Sequence, residues 1–125
     1  MRKQYHFRPS KNGSYAWDVG RLITLVKSIQ TKNVSLSLIA ELNESFWFNH
    51  GYVPTCKVVA EHAKLIYEVD LAYPIILCPS GKVMDGMHRV CKAYISGKEF
   101  VKAKQFLKMP EPDYIDIQPN ELVYT

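Results

Sequence analysis

The sequence has no long hydrophobic run: no stretch approaches the eighteen or more uncharged apolar residues of a membrane span. The first residues after Met1 also lack the apolar stretch of a secretory signal. Internal repeats and Gly/Ser-rich linkers are absent as well. We therefore expect a cytoplasmic protein with no membrane partner.

Cysteine is scarce. The three cysteines, Cys56, Cys78 and Cys91, are an odd number and contain no C-x-x-C spacing. This pattern argues against both a disulfide framework and a zinc knuckle. Because histidines and cysteines do not cluster at metal-ligand spacing, we expect no transition-metal site built by the protein alone.

The composition is that of an ordinary globular protein, with 47 % hydrophobic and 22 % charged residues among 125. These values exclude collagen, coiled-coil and low-complexity chains. The length fits one compact domain, which we place at residues 1–109. Residues 110–125 contain four acidic and no basic residues and are predicted to form an acidic C-terminal tail.

Positive charge is concentrated late in the sequence. The net charge is +4 overall, whereas residues 1–109, with sixteen basic and eight acidic residues, carry +8. Residues 82–108 contribute seven basic groups against Asp85 and Glu99. Such a patch attracts phosphates, either on a nucleotide or on a nucleic acid. The alternative is a solvated surface of scattered lysines.

The first half of the sequence predicts two helices, one strand and an aromatic loop. Asp18 is placed as the N-cap of a helix with an apolar stripe, and alternation over 34–38 predicts a strand running into Ile39 and Ala40. Residues 46–52 are aromatic and predict a packed loop, whose rings lie in the core or stack a base. Thr55 can cap the second helix, on whose apolar face His62 is expected as a hydrogen-bonded core residue.

The second half predicts the order strand, turn, strand, helix, strand. Residues 73–78 are a continuous apolar run, residues 79–81 a turn and residues 83–84 a short returning strand. A helix is predicted over 87–96 with Met87, Val90, Cys91 and Tyr94 on one face, ending at Gly97, before a final alternating strand at 101–105. The expected fold class is α+β, a small mixed sheet with flanking helices.

The start of that helix concentrates cationic side chains. His88 and Arg89 lie in its first turn and Lys92 one turn later, where they oppose the helix dipole. An anion would resolve the conflict, since free N–H groups, Gly86 and nearby cations form a phosphate cradle. The alternative is that Asp85 caps the helix and pairs with Arg89.

Residues 73–77, 81–93, Gly97 and 101–103 together resemble the ParB/sulfiredoxin superfamily. In that superfamily a "PI" strand precedes a hairpin, a Gly-x-His-Arg or Gly-x-Arg-Arg turn, and a helix that ends in glycine. The likeness is specific over 73–106 and extends more weakly back to residue 34, which gives a family core of about 34–106.

The resemblance implies nucleotide-phosphate binding at the turn. Gly86 would allow close backbone approach, Met87 would belong to the same turn, and His88 and Arg89 would contact the phosphates. Lys92 is added from its position alone. The implied ligand is ATP, ADP or CTP, with Mg²⁺ carried in by the nucleotide and Asp85 able to contact it.

Departures from the family pattern narrow the expected activity. Sulfiredoxin's catalytic cysteine precedes His-Arg, and the thioether of Met87 cannot replace that nucleophile. Partition proteins add helix-turn-helix and dimerisation domains after this core, which the sequence does not show. The acidic Asp85 makes this turn more similar to that of the superfamily branch that phosphorylates free serine.

The expected function is therefore a small phosphotransferase or nucleotide hydrolase. Its predicted catalytic residues are Asp85, His88 and Arg89 together with a carboxylate base, for which Glu41 ranks first, followed by Glu44 and Asp70. For each carboxylate, the alternative is an exposed or capping role. The alternative function is a non-catalytic ParB-like module that senses a nucleotide or binds nucleic acid.

Overall fold

A computed structural model of the protein, which describes residues 3–49 and 51–124, has an α+β architecture of two small sheets and three helices. The predicted fold class is thereby confirmed at this level. No helix of the described residues is long and apolar enough to cross a membrane. The elements are β1 (Tyr5–Pro9), β2 (Ser14–Asp18), α1 (Val19–Leu25), β3 (Lys32–Ser35), α2 (Cys56–Glu68), β4 (Ile75–Leu77), β5 (Val83–Asp85), α3 (Met87–Ile95), β6 (Phe100–Gln105) and β7 (Tyr114–Ile117).

The larger sheet has the strand order β3-β6-β4-β5 and is mixed, because β4 runs parallel to β6 while the other pairs are antiparallel. All three residues of β4 are buried. Ile75 and Leu77 pack with Met87 and Val90 of α3, and Ile76 packs on the opposite side with Leu22 of α1. Burial on both faces explains why this strand is a continuous apolar run rather than an alternating one.

The helix boundaries follow the predicted local signals. The Asp18 side chain accepts a hydrogen bond from the backbone N–H of Gly20 at 2.9 Å, and the Thr55 hydroxyl accepts one from Val58 at 3.2 Å. Gly97 follows α3 with a φ of 71°, a left-handed conformation that closes a helix with little strain in glycine. Three predicted helix ends are therefore confirmed.

Two details of the predicted pattern are wrong. The strand expected over 34–38 ends at Ser35, whose hydroxyl accepts from the N–H of Ser37 and begins a 3-10 turn. Leu38 is consequently 74 % exposed. Tyr94, predicted on the packed face of α3, is 67 % exposed, whereas Ala93 is buried. The apolar ring of Tyr94 fits the helical spacing in the sequence, but the smaller Ala93 occupies the core position instead.

The second sheet, of order β1-β2-β7, contains the segment expected to be an acidic tail. The Asp113 carboxylate accepts from the backbone N–H of Asp18 at 2.8 Å and from Nη1 of Arg21 at 3.1 Å. The indole N–H of Trp17 donates to the carbonyl of Pro110 at 2.9 Å. Residues 110–117 thus pack on β2 and α1 in place of a tail, and the Asp113 carboxylate has specific partners there.

Removing residues 110–125 should destabilise the protein by several kcal/mol, because it deletes β7, leaves the indole N–H of Trp17 without its acceptor and exposes Ala16. Urea unfolding followed by tryptophan fluorescence would measure the loss. Glu111→Gln is the matched control: it removes one negative charge, whereas the contact at this residue uses its backbone carbonyl. A truncated protein as stable as the full chain would show that the segment is only a tail.

Candidate functional site

A cavity of about 580 Å³ lies between β1, the loop that follows residue 43 and the connection from β5 to α3. Its volume is in the usual range of small-molecule sites. The wall residues are mostly aromatic or polar and come from four separate parts of the chain: Gln4, Tyr5, His6, Phe7, Val19, Glu44, Ser45, Phe46, Trp47, Asn49, Val83, Met84, Asp85, Gly86, Met87 and His88.

Gly86 forms the turn that starts α3 beside this cavity. Its φ is 104°, and a Cβ here would lie 2.7 Å from Cγ2 of Ile75 and 2.8 Å from Nη2 of Arg89. Both the backbone conformation and the space therefore require glycine. No side chain caps the helix, so its first N–H groups have no intrahelical acceptor. The Met87 side chain is buried in the core, which leaves its backbone as the group available to a ligand.

Arg89 is paired within the turn. Its Nη2 donates to Oδ2 of Asp85 at 2.9 Å, across one helical turn, and both side chains are mostly buried. Asp85 is a wall residue of the cavity, whereas Arg89 is not among the described wall residues. The internal Asp85–Arg89 pair, weighed from sequence as the alternative to a phosphate cradle, is therefore present.

Lys92 lies away from the cavity. Its Nζ donates to the carbonyls of Tyr67 at 2.8 Å and Val69 at 2.6 Å, at the C-terminal end of α2. The last carbonyls of a helix attract a cation. The prediction that Lys92 belongs to the phosphate-binding turn is thus not supported by its position, because the carbonyls of α2 occupy its ammonium group.

The three candidate carboxylates have different surroundings. Glu41 is only 7 % exposed, and its Oε2 accepts from the backbone N–H of Val83 at 2.6 Å. Asp70 accepts from the N–H of Ala72 at 2.8 Å and stabilises a turn. Glu44 is the candidate whose residue lines the cavity. The first-ranked Glu41 therefore anchors β5, while the second-ranked Glu44 belongs to the cavity wall.

His88 forms a stacked cluster that sequence analysis did not anticipate. Its Nε2 lies 2.8 Å from Nδ1 of His62 on α2, as the expected hydrogen bond of His62 required. The indole of Trp47 lies over both imidazoles, with ring centroids 4.4 Å apart in each case. No local signal links three residues so far apart in sequence, although each lies in a segment predicted to pack.

The histidines of the cavity are uncharged at neutral pH. Burial, followed by the charges of His62 and Arg89, lowers the pKa of His88 to about 4. Burial and the charge of Arg8 lower the pKa of His6 to about 4 as well. Arg8 donates from Nε to Nε2 of His6 at 2.9 Å, a bond that requires the unprotonated nitrogen. Both histidines can therefore offer hydrogen bonds to a ligand but no positive charge.

Residues 3–49 and 51–124 contain no group of three or more His, Cys, Asp or Glu side chains that could hold a metal ion. Asp85 and Glu44 are the carboxylates on the cavity wall. Two carboxylates suit Mg²⁺, which usually keeps waters and phosphate oxygens as its other ligands.

Comparison of the chain with models of known families, with curated proteins and with solved structures gives no match. The resemblance to the ParB/sulfiredoxin superfamily therefore stays a prediction.

Lowering the pH from 7 towards 4 should destabilise the fold. The unfolded chain binds protons at His6 and His88 near pH 6.5, whereas the folded chain resists them down to about pH 4, so stability is lost as pH falls through this window. The full shift of one histidine corresponds to about 3 kcal/mol, and partly exposed His88 should contribute less. Urea midpoints between pH 4 and 7 should vary less steeply in His6→Gln and His88→Gln. An unchanged slope in both variants would contradict this origin.

Glu41→Ala should cost about 2 kcal/mol, because it leaves the buried N–H of Val83 without an acceptor. Glu41→Gln keeps an acceptor oxygen and should cost less. Chemical denaturation of both variants, beside Glu44→Gln as a control at the cavity wall, would measure the difference. If Glu41→Ala is as stable as the unchanged protein, the carboxylate does not anchor β5 and a catalytic role returns as its explanation.

Proposed function

We propose that the protein binds a nucleotide in this cavity, with the phosphates at the start of α3, and transfers or hydrolyses its terminal phosphoryl group. The observation that supports the proposal is that the uncapped N-terminus of a nine-residue helix, entered through Gly86, forms one wall of a cavity of nucleotide size. Backbone N–H groups in this position bind phosphate through both hydrogen bonds and the helix dipole. The ParB/sulfiredoxin resemblance of the same turn points to the same ligand.

The phosphates would be held mainly by neutral donors. The N–H groups at Gly86, Met87 and His88 have no intrahelical acceptor, and the uncharged His88 ring adds a side-chain donor. Arg89 uses Nη2 for Asp85, and the guanidinium fork has five N–H donors in all. Arg89 can therefore approach a phosphate oxygen while keeping its bond to Asp85.

Mg²⁺ fits the acidic part of the wall. The carboxylate of Asp85 is an oxygen ligand, and a cation brought by the nucleotide would offset its repulsion of the phosphates. Bound there, Mg²⁺ would supply neutralisation of the charge on the phosphoryl oxygens. The protein would contribute the orientation of the nucleotide and the placement of the acceptor.

Glu44 is our choice for the base. The oxygen of an acceptor hydroxyl or a water forms a bond to the terminal phosphorus, and the bond from that phosphorus to the bridging oxygen breaks. The electron pair leaves with the shortened nucleotide, and the acceptor proton passes to the Glu44 carboxylate. Arg89 and His88 stabilise the charge on the phosphoryl oxygens.

A second candidate is a ParB-like module that binds a nucleotide, or a nucleic acid on the basic surface of 82–108, without chemistry. It is favoured by the absence of Lys and Arg among the described wall residues. Phosphoryl transfer needs strong charge stabilisation, whereas binding alone can depend on N–H groups.

The first test is thermal unfolding with ATP, ADP, CTP or GTP, each with and without Mg²⁺. Ligand at a hundred times its Kd should stabilise the protein by about 2.7 kcal/mol, a shift of several degrees. Arg89→Gln should weaken the apparent affinity for the nucleotide at least tenfold and so reduce the thermal shift. Lys98→Gln, which removes the same charge from a residue outside this cavity, should leave it unchanged.

Turnover separates the two candidates. Glu44→Gln should abolish release of phosphate or its transfer while keeping the thermal shift, because the amide cannot accept the proton. A shift without turnover in the unchanged protein would select the binding module. No shift with any nucleotide would reject the nucleotide proposal, and equal losses in Arg89→Gln and Lys98→Gln would remove the turn as its site.

A further inference from the structure

The contact between His62 and His88 is an edge-to-edge pair. The nitrogens that face each other are 2.8 Å apart, the ring centroids are 5.1 Å apart and the ring planes differ by 22°. Trp47 covers both rings, with interplanar angles of 30° to His62 and 18° to His88. A half-turn of either imidazole would break the hydrogen bond and any smaller rotation would disturb the stacking contact, so the pair holds one orientation.

The pair also joins two helices that share little core. None of the residues of α2 is fully buried. Near its middle α2 is bonded to α3 through His62, and at its C-terminal end through Lys92. Polar contacts to α3 therefore set the position of His62, and the hydrogen bond from α2 in turn holds the ring of His88.

An imidazole has two nitrogens, and His88 uses Nε2 for His62. The nitrogen left for a ligand in the cavity is Nδ1. One proton occupies the hydrogen bond between the rings, so Nδ1 of a singly protonated His88 carries a hydrogen when His62 is the donor and a lone pair when His62 is the acceptor. The identity of the donor thus decides what His88 offers to the cavity.

The surroundings favour a hydrogen on Nδ1. Asp85 and Glu44, whose carboxylates are acceptors, are wall residues of the same cavity as His88. Carboxylate oxygens accept hydrogen bonds, so an N–H on His88 can pair with such a wall whereas a lone pair cannot. Phosphate oxygens, the ligand atoms under the proposed function, are acceptors as well.

We propose that His62 is a positioning residue: it donates from Nδ1 to Nε2 of His88, and so fixes the tautomer in which His88 presents an Nδ1–H to the cavity. The role of that N–H towards phosphate rests on the proposed function. The tautomer itself is a property of the protein without ligand.

The test is NMR of the imidazole nitrogens in ¹⁵N-histidine-labelled protein at pH 7.5. We expect His88 to show a protonated Nδ1 and an unprotonated Nε2. His62→Phe keeps a ring under Trp47 but removes the donor, and should return His88 to the Nε2–H form that a free histidine side chain prefers. His62→Asn, whose amide reaches the position of Nδ1, should retain the Nδ1–H form.

An Nε2-protonated His88 in the unchanged protein would overturn the proposal, as would a tautomer that His62→Phe leaves unaltered. The unchanged protein and His62→Asn decide the question even if His62→Phe fails to fold. With ATP and Mg²⁺ as the probe, His62→Phe should weaken binding about tenfold and His62→Asn should restore it. If the expected tautomer is found but ATP does not bind, the nucleotide proposal is rejected and the positioning role of His62 is kept. If ATP binds equally well to the unchanged protein and to the His62 variants, nucleotide binding is kept and the role of His62 in it is rejected.

Discussion

The left-handed turn at Gly86 is the constraint on which the site depends. It converts the edge strand β5 into α3 within one residue, at a φ that side chains rarely adopt and against Ile75, which leaves no room for a Cβ. Because β5 is fixed through Val83 and the Glu41 carboxylate, the direction in which α3 starts is fixed too. The helix N-terminus, the Asp85–Arg89 pair and the ring of His88 all take their positions from this turn.

The Asp85–Arg89 pair resolves the conflict between a basic first turn and the helix dipole without any ligand. Such a pair does not close the site to anions, because a cation held by one acceptor keeps further N–H donors. The pair does weaken the attraction for an anion, because a phosphate near Arg89 is also repelled by the Asp85 carboxylate. A divalent cation that binds the carboxylate removes that repulsion, which links Mg²⁺ to the proposed function more closely than metal-ligand spacing could.

Local signals in the sequence predicted much of the fold. The caps at Asp18 and Thr55, the buried run of β4 and the glycine after α3 each depend on residues close in sequence, where backbone sterics and hydrogen bonds decide the conformation. The strand β7 was missed because the acidic residues in and beside it looked like a solvated tail. The partners of Asp113, on β2 and α1, and those of Asp116, between β1 and β2, lie about a hundred residues earlier in the chain.

The candidate site was predictable only in part for the same reason. The turn at 85–89 is contiguous, so its residue types already indicate a phosphate cradle or an internal pair. The anchoring of Glu41 on Val83, the capture of Lys92 by α2 and the cluster of Trp47 with two histidines join distant segments. Residue type and spacing cannot distinguish a catalytic carboxylate from one that accepts a single buried N–H.

The electrostatics of the cavity follow from these long-range contacts. Its wall combines two carboxylates, two histidines held uncharged and the free N–H groups of a helix start. Under the proposed function, an anion would meet mainly dipoles, beside an Arg89 charge that is shared with Asp85, so its affinity would depend on the orientation of each donor. The pair of His62 and His88 provides this orientation, because two rings bonded edge to edge under the indole of Trp47 cannot turn independently. The helix α2, which buries no residue of its own, is thereby part of the site through the imidazole that it places.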